Sequence, residues 1–255
     1  MRIPSGVSRW VILHILYRVI SEIKLTRKDI LYLILFIAGP ISSGVLVGSR
    51  MFSTYLPVGD DPGNWLKRAL AFAGVTDPLW EETLLSYPPI FPLLTYVLGL
   101  LAGDIVTGLK IAAVLALMLI PLTTGFLAYS LTRRKEAAII ASFLSALLPS
   151  NYEMIWWGAY PNLLALAIIP IAIHYLLKII CYDLSRRTVV VFIITSAVIS
   201  LTHHLTSATY ATTLIASAML LFFILKIREP RIYTLIFTSL IFQLAYLTYL
   251  LQTYY

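Results

Sequence analysis

Apolar runs close to the thickness of a lipid bilayer constrain this chain more than any motif it carries. They cover residues 30–49, 89–102, 106–131, 137–150, 162–181, 188–202, 206–226 and 232–252, several of them brief because their ends merge with aromatic or Ser/Thr residues suited to an interface. Crossing about 30 Å of hydrocarbon takes about 20 residues of helix, with a range near 17–25. Within lipid every backbone polar group must be satisfied internally, so a spanning segment is a helix or a strand of a closed barrel. The period-2 alternation of a barrel strand is absent. Composition agrees, with 60% hydrophobic and 12% charged residues against about 25% charged in a soluble domain. These values exclude a disordered chain, a disulfide scaffold and an ordinary cytosolic enzyme. A lone cysteine, Cys181, leaves no intrachain disulfide. The expected fold is an all-α, polytopic transmembrane helix bundle in the plasma membrane.

Charge sets the expected topology. The run 89–102 reaches only about 21 Å at 1.5 Å per residue, too little for a full crossing. If it is re-entrant or interfacial, the other runs give seven spans with the N-terminus inside. The cytoplasmic set then holds 15 Lys and Arg residues, and only Arg50, Lys67, Arg68 and Lys110 lie outside. Letting 89–102 cross would invert this bias, against the positive-inside rule. The same rule accounts for the net charge of +7 without a nucleic-acid partner. Two parts follow: a cytoplasmic amphipathic segment at 1–28 and a transmembrane domain at 29–255 with an outer loop at 50–104. In the first, His14, Arg18 and Glu22 form one polar stripe on a helix suited to the membrane surface. The chain stops soon after its last apolar run, at Gln252–Tyr255, which raises the expectation of a short or truncated product.

On this topology the distinctive polar residues gather on the outer face. The first outer loop carries Asp60, Asp61, Asp77, Glu81 and Glu82. A later one carries Glu153, Trp156, Trp157, Tyr160 and Asn162, and a third carries His203 and His204. The spans lack central carboxylates, and their main polar intrusions are His174 and Gln243. A transporter accepts the cost of intramembrane charge for its ion sites, so this pattern speaks against transport. Asp61 before Pro62 reads as the N-cap of an interfacial helix over 62–73, with Trp65, Ala69 and Phe72 turned to the membrane. Asp60 beside it has no such role. The two carboxylates can hold a divalent cation such as Mg or Mn, or one can act as a general base on an acceptor hydroxyl. Arg50, Lys67 or Arg68 can hold an anionic lipid phosphate. Trp157 and Tyr160 serve either as an aromatic belt or as stacking surfaces for a sugar or prenyl chain. His203 and His204 could bind a metal or phosphate, although adjacent helical residues point about 100° apart.

Two stretches carry a family resemblance. Gly59-Asp60-Asp61-Pro62, followed by Lys67, Arg68 and Ala69, resembles the Asp-Pro…Arg-Ala pattern of the oligosaccharyltransferase-type GT-C glycosyltransferases. Ser86-Tyr87-Pro88-Pro89-Ile90-Phe91-Pro92-Leu93-Leu94 is similar to the Tyr-Pro-Pro-Leu motif of the same superfamily. The resemblance covers residues 28–182 and continues loosely through Trp157-Gly158-Ala159-Tyr160-Pro161. It implies sugar transfer from a polyprenyl-phosphate-type donor to an unknown acceptor on the extracytoplasmic face. Asp60 and Asp61 would then be catalytic, or metal ligands if a metal is used. Tyr87, Arg50, Lys67, Arg68, Trp157, Tyr160, His203 and His204 would contact the substrates. The chain departs from the pattern where Trp156-Trp157 is followed by Gly158 rather than Asp, which argues against peptide glycosylation. Family members usually also have more spans. The alternative is a non-catalytic membrane subunit or scaffold.

Overall fold

A computed structural model describes residues 26–75, 87–181 and 183–254. The described residues form helices and no strand. The long helices are α1 (Arg27–Phe52), α4 (Ile105–Thr132), α7 (Tyr160–Ile180), α8 (Arg186–Ser200), α9 (His204–Met219) and α10 (Pro230–Tyr254). Shorter ones are α2 (Pro62–Phe72), α3 (Ile90–Ala102), α5 (Lys135–Ala146) and α6 (Pro149–Trp156). Among them 6 stretches are long and apolar enough to cross a bilayer: α1, α4, α5 with α6, α7, α9 with the π-helical turn Leu220–Ile224, and α10. The protein is therefore a multi-pass integral membrane protein. The seventh expected span corresponds to α8, whose 15 residues give about 22 Å. It packs between α7 and α10.

The run 89–102 becomes α3, 13 residues ending at Gly103 in the left-handed region, with φ of 80°. Asp104 then caps α4 by accepting from the backbone N–H groups of Thr107 at 2.8 Å and Val106 at 3.3 Å. Those hydrogen bonds hold its carboxyl below the usual range. The chain thus turns back within two residues, and α3 packs along α4 as a half-length hairpin arm. This agrees with the expected re-entrant or interfacial segment. The first helix begins earlier than the boundary at 28/29, because Thr26 and Asp29 form a capping box that starts α1 at Arg27. His14, Arg18 and Glu22, with Asp77, Glu81 and Glu82, lie outside the described residues.

Helix α4 is central and touches α1, α3, α5 and α7. Its buried face includes Gly108, Ala112, Ala113 and Ala116, small side chains that let neighbouring backbones approach where lipid supplies no hydrophobic drive between helices. One apolar cluster joins Met51, Trp65, Phe91, Leu109, Leu117, Tyr160 and Leu163. A second joins Leu176, Phe192, Ile199, Tyr210, Leu214, Ile232 and Ile236. Ile168 packs against both. Alternating helix directions bring Arg27, Lys28, Arg133, Arg134, Lys135, Lys178, Arg186, Arg187, Lys226, Arg228 and Arg231 to one end of the bundle, the basic end. Asp60, Asp61, Arg50, Lys67, Arg68 and Lys110 lie toward the other, the carboxylate end.

Gln243 ties the second cluster together. Its Nε2 donates to the Ser196 carbonyl at 2.7 Å, and the Ser207 hydroxyl donates to its Oε1. One side chain from α10 thereby holds α8 and α9. Removing a buried partner leaves groups unsatisfied at about 1–3 kcal/mol, and measured interhelical bonds in membranes fall at the low end of that range. Gln243→Leu is expected to lower the thermal midpoint in detergent. Adding Ser207→Ala to it should cost less than the two single changes together.

Candidate functional site

The site at the carboxylate end is built on a joint between two loops. After α1 the chain runs through Val58, Gly59, Asp60 and Asp61 into α2; after α6 it runs through Trp157, Gly158 and Ala159 into α7. Gly59 has φ of 130° and Gly158 φ of 73°, both in the region that favours glycine. The loops meet there so closely that a Cβ on Gly59 would stand 2.6 Å from the Gly158 nitrogen. One on Gly158 would stand 2.7 Å from the Asp61 nitrogen. Trp65 Nε1 donates to the Gly158 carbonyl at 2.5 Å, and the Tyr160 hydroxyl donates to the Val58 carbonyl. Buried Tyr160 is thus a structural clasp across the loops.

Asp60 and Asp61 are exposed at the rim of this joint. Pro62 occupies the first turn of α2 as expected, but the side chain of Asp61 makes no cap hydrogen bond. Its φ of −105° and ψ of 8° lie outside the extended conformation that aims a cap oxygen at the helix N–H groups. The carboxylate instead accepts from Asn64 Nδ2 at 3.0 Å. The aromatic face of α2 also differs from expectation. Trp65 and Ala69 are buried against the protein, and Trp65 lies 4.8 Å from the Tyr87 ring and 6.4 Å from that of Phe91.

Tyr87 gathers a second group. The Arg68 guanidinium carbon sits 4.9 Å from its ring centre, His204 meets it edge-on at 5.5 Å, and His203 lies at 6.4 Å. The two imidazoles are 5.1 Å apart. They reach one aromatic neighbour because His203 precedes the helix, with an extended φ of −156°, so the helical spacing of about 100° does not apply. His203 Nδ1 accepts from the Thr206 backbone N–H at 3.2 Å. The Thr206 hydroxyl contacts the same Nδ1 at 2.7 Å and donates to Asn162 Oδ1. Asn162 stood among the outer-face polar residues of the sequence, but its pairing with Thr206 joins helices 44 residues apart and leaves no local signal.

Burial, reinforced by the neighbouring His204, pushes the His203 imidazole down to about 4 from an ordinary 6.5. A depressed histidine stays neutral in the folded protein while the unfolded chain takes up the proton. Stability from this group is therefore full above pH 6.5, falls as the pH drops, and levels off below about 4. His203→Asn keeps a capping side chain and should flatten the fall in thermal midpoint between pH 7 and pH 5.

Arg50 occupies a different flank. It lines a groove of about 420 Å³ with Leu46, Val47, Met51, Val58, Tyr152, Ile155 and Trp156. Lys67 is half-buried on α2, and Trp157 is exposed beside the joint. The predicted residues thus divide into the carboxylate rim, the Tyr87 cluster with Arg68, His203 and His204, and the groove with Arg50. No group of three or more His, Cys, Asp or Glu side chains among the described residues could hold a metal. Asp60 and Asp61 would bind magnesium only with water or substrate phosphate completing its shell.

Residues 85–250 match the model of a family described as the 6-pyruvoyl-tetrahydropterin synthase related domain, a membrane protein. The match corrects the GT-C resemblance, since it runs from the Tyr-Pro-Pro segment almost to the C-terminus and points to a different family. Tyr-Pro-Pro before an apolar run and Asp-Pro before an interfacial helix are short patterns that membrane-surface physics produces repeatedly. No curated protein and no solved structure matches the chain.

Proposed function

Starting from a chain that belongs to the 6-pyruvoyl-tetrahydropterin synthase related membrane-protein family, we propose that it moves a sugar from a polyprenyl-phosphate-type lipid to an acceptor at the extracytoplasmic face. One juxtaposition carries this reading. Val58 lines the groove that holds Arg50, and Asp60 follows two residues later on the same loop. An isoprenoid chain laid along Leu46, Val47 and Ile155 would bring its phosphate to Arg50, whose planar fork suits phosphate oxygens. The attached sugar would then stand near the carboxylate rim. Asp60 accepts the proton of the acceptor hydroxyl, the freed oxygen bonds to the anomeric carbon, and the carbon–phosphate oxygen bond breaks. The phosphate departs with its electron pair, its charge met by Arg50. Magnesium, when bound by Asp60 and Asp61, would supply further charge neutralisation.

The concentration of Lys and Arg at the opposite end supports an extracytoplasmic position for this site. Two measurements test the proposal. In a Cys181→Ser background, an impermeant maleimide should label Asp60→Cys from outside, and Arg134→Cys only after permeabilisation. Labelling of position 134 from outside would overturn the orientation. Purified protein in liposomes should transfer sugar from a polyprenyl-phosphate donor. No transfer from any such donor would leave the non-catalytic scaffold as the better reading.

A further inference from the structure

The basic end contains a second groove, remote from the site above and independent of its chemistry. It has a volume of about 430 Å³ and runs between α1 and α4 over the start of α5, within the range of about 300–1,000 Å³ usual for small-molecule sites. Its walls are Tyr32, Leu33 and Phe36 from α1 and Leu122, Phe126 and Tyr129 from α4. Each trio follows helical spacing, so each helix offers one apolar face. Leu33 is 48%, Phe126 40% and Tyr129 39% exposed, which leaves the groove open along its side to lipid. Deeper in, the Ser142 hydroxyl donates to the Phe36 carbonyl at 3.2 Å and pins α5 against α1.

The mouth is polar and organised. Lys135 pairs with Asp29 and lies 5.4 Å from the centre of the Tyr32 ring. The Tyr32 hydroxyl donates to Glu136 at 2.7 Å. Arg27, Lys28, Arg133 and Arg134 flank these groups. Five cations thus adjoin two carboxylates along the chain, the Arg134 charge acts on Glu136, and the N-termini of α1 and α5 add their positive dipole ends. Arg133 is held at a fixed place by its left-handed backbone, φ 57°, where its N–H closes α4 onto the Tyr129 carbonyl.

We infer that this groove binds an anionic glycerophospholipid, one acyl chain lying between α1 and α4 and the headgroup phosphate meeting Arg134 and Lys135. Charge complementarity selects the occupant. A neutral acyl compound would leave the excess positive charge unmatched, and free phosphate would leave the apolar walls without a partner. The lipid bridges α1 and α4 at the basic end and therefore stabilises the bundle.

The test uses the full chain purified in a nonionic detergent, with thermal midpoints followed against added phosphatidylglycerol, phosphatidylcholine or inorganic phosphate. Phosphatidylglycerol should raise the midpoint saturably, and the other two should leave it unchanged. Arg134→Gln/Lys135→Gln should move the half-saturation point up about tenfold or more, the loss of a charge-assisted contact. Leu122→Trp, which fills the groove, should abolish saturation, while Arg134→Lys should keep it. Equal shifts with phosphatidylcholine would overturn the charge preference, and a shift with inorganic phosphate would overturn the lipid. Equal saturation in wild type and both disabling variants would overturn the site. The comparison of ligands on the wild type decides the matter even if a variant fails to fold.

Discussion

Under the proposed activity, sugar transfer by Asp60→Asn is expected to fall about 10²–10⁴-fold, the usual contribution of a positioned general base. The change is isosteric and sits at an exposed residue, so fold and detergent-phase stability should remain those of the wild type. Asp61→Asn should lose much less. Asp61 is already committed to Asn64 at 3.0 Å, and an amide oxygen can accept the same hydrogen bond. The contrast between neighbours is the informative part. A metal-bridged role would make the two variants similarly deficient and would restore part of the rate at high magnesium. Initial rates with a polyprenyl-phosphate sugar in liposomes, with and without a chelator, separate these outcomes. Unchanged rates in both variants would remove Asp60 from the chemistry.

Gly158→Ala is the second change with a large expected effect, through the joint instead of the carboxylate. A left-handed backbone costs a non-glycine residue about 1–2 kcal/mol, and the new Cβ would also stand 2.7 Å from the Asp61 nitrogen. That nitrogen is backbone and cannot swing aside as a flexible side chain could. The loops must part, which stretches the Trp65–Gly158 hydrogen bond and carries Asp60 away from the groove. Transfer should fall at least tenfold, and Trp65 fluorescence should shift to the red as its ring gains water. Gly59→Ala should act alike, since its Cβ would stand 2.6 Å from the Gly158 nitrogen. The spectral change reports opening of the joint even without an assay for transfer. Wild-type behaviour in both variants would mean that the loops do not position the site.

The parts of the fold readable from sequence were those set by local pattern. Apolar runs located the spans, the positive-inside charge bias set α3 apart, and Pro62 placed the start of α2. The run 188–202 marked α8 with its true length of 15 residues, shifted by two positions. The residues of the candidate site were mostly visible, but their grouping was not. Asp61 looked like a cap because residue type alone signals one, whereas its backbone angles and Asn64 decide the use of its carboxylate. Trp65 looked lipid-facing because amphipathic spacing gives a buried face without saying whether lipid or protein covers it. His203 and His204 looked divergent because helical spacing was applied across a helix boundary. The clasp of Tyr160 on Val58 spans 102 residues, beyond any local pattern. The two short motifs misassigned the family for a related reason, since surface physics can generate them outside any one lineage.

The half-length arm α3 also bears on how the protein is made. A segment of 13 residues is too short to halt translocation through the membrane by itself. Integration of this region therefore depends on α4, which the ribosome completes about 30 residues later. Until α4 is seated, α3 and the Tyr87 segment that precedes it have only α2 to pack against, where Trp65 meets Tyr87 and Phe91. The aromatic neighbourhood of Tyr87 further requires His203 and His204, which are synthesised later still. Maturation of that end is thus a late step of biogenesis, and a nascent chain arrested before residue 203 would be membrane-integrated but unassembled there.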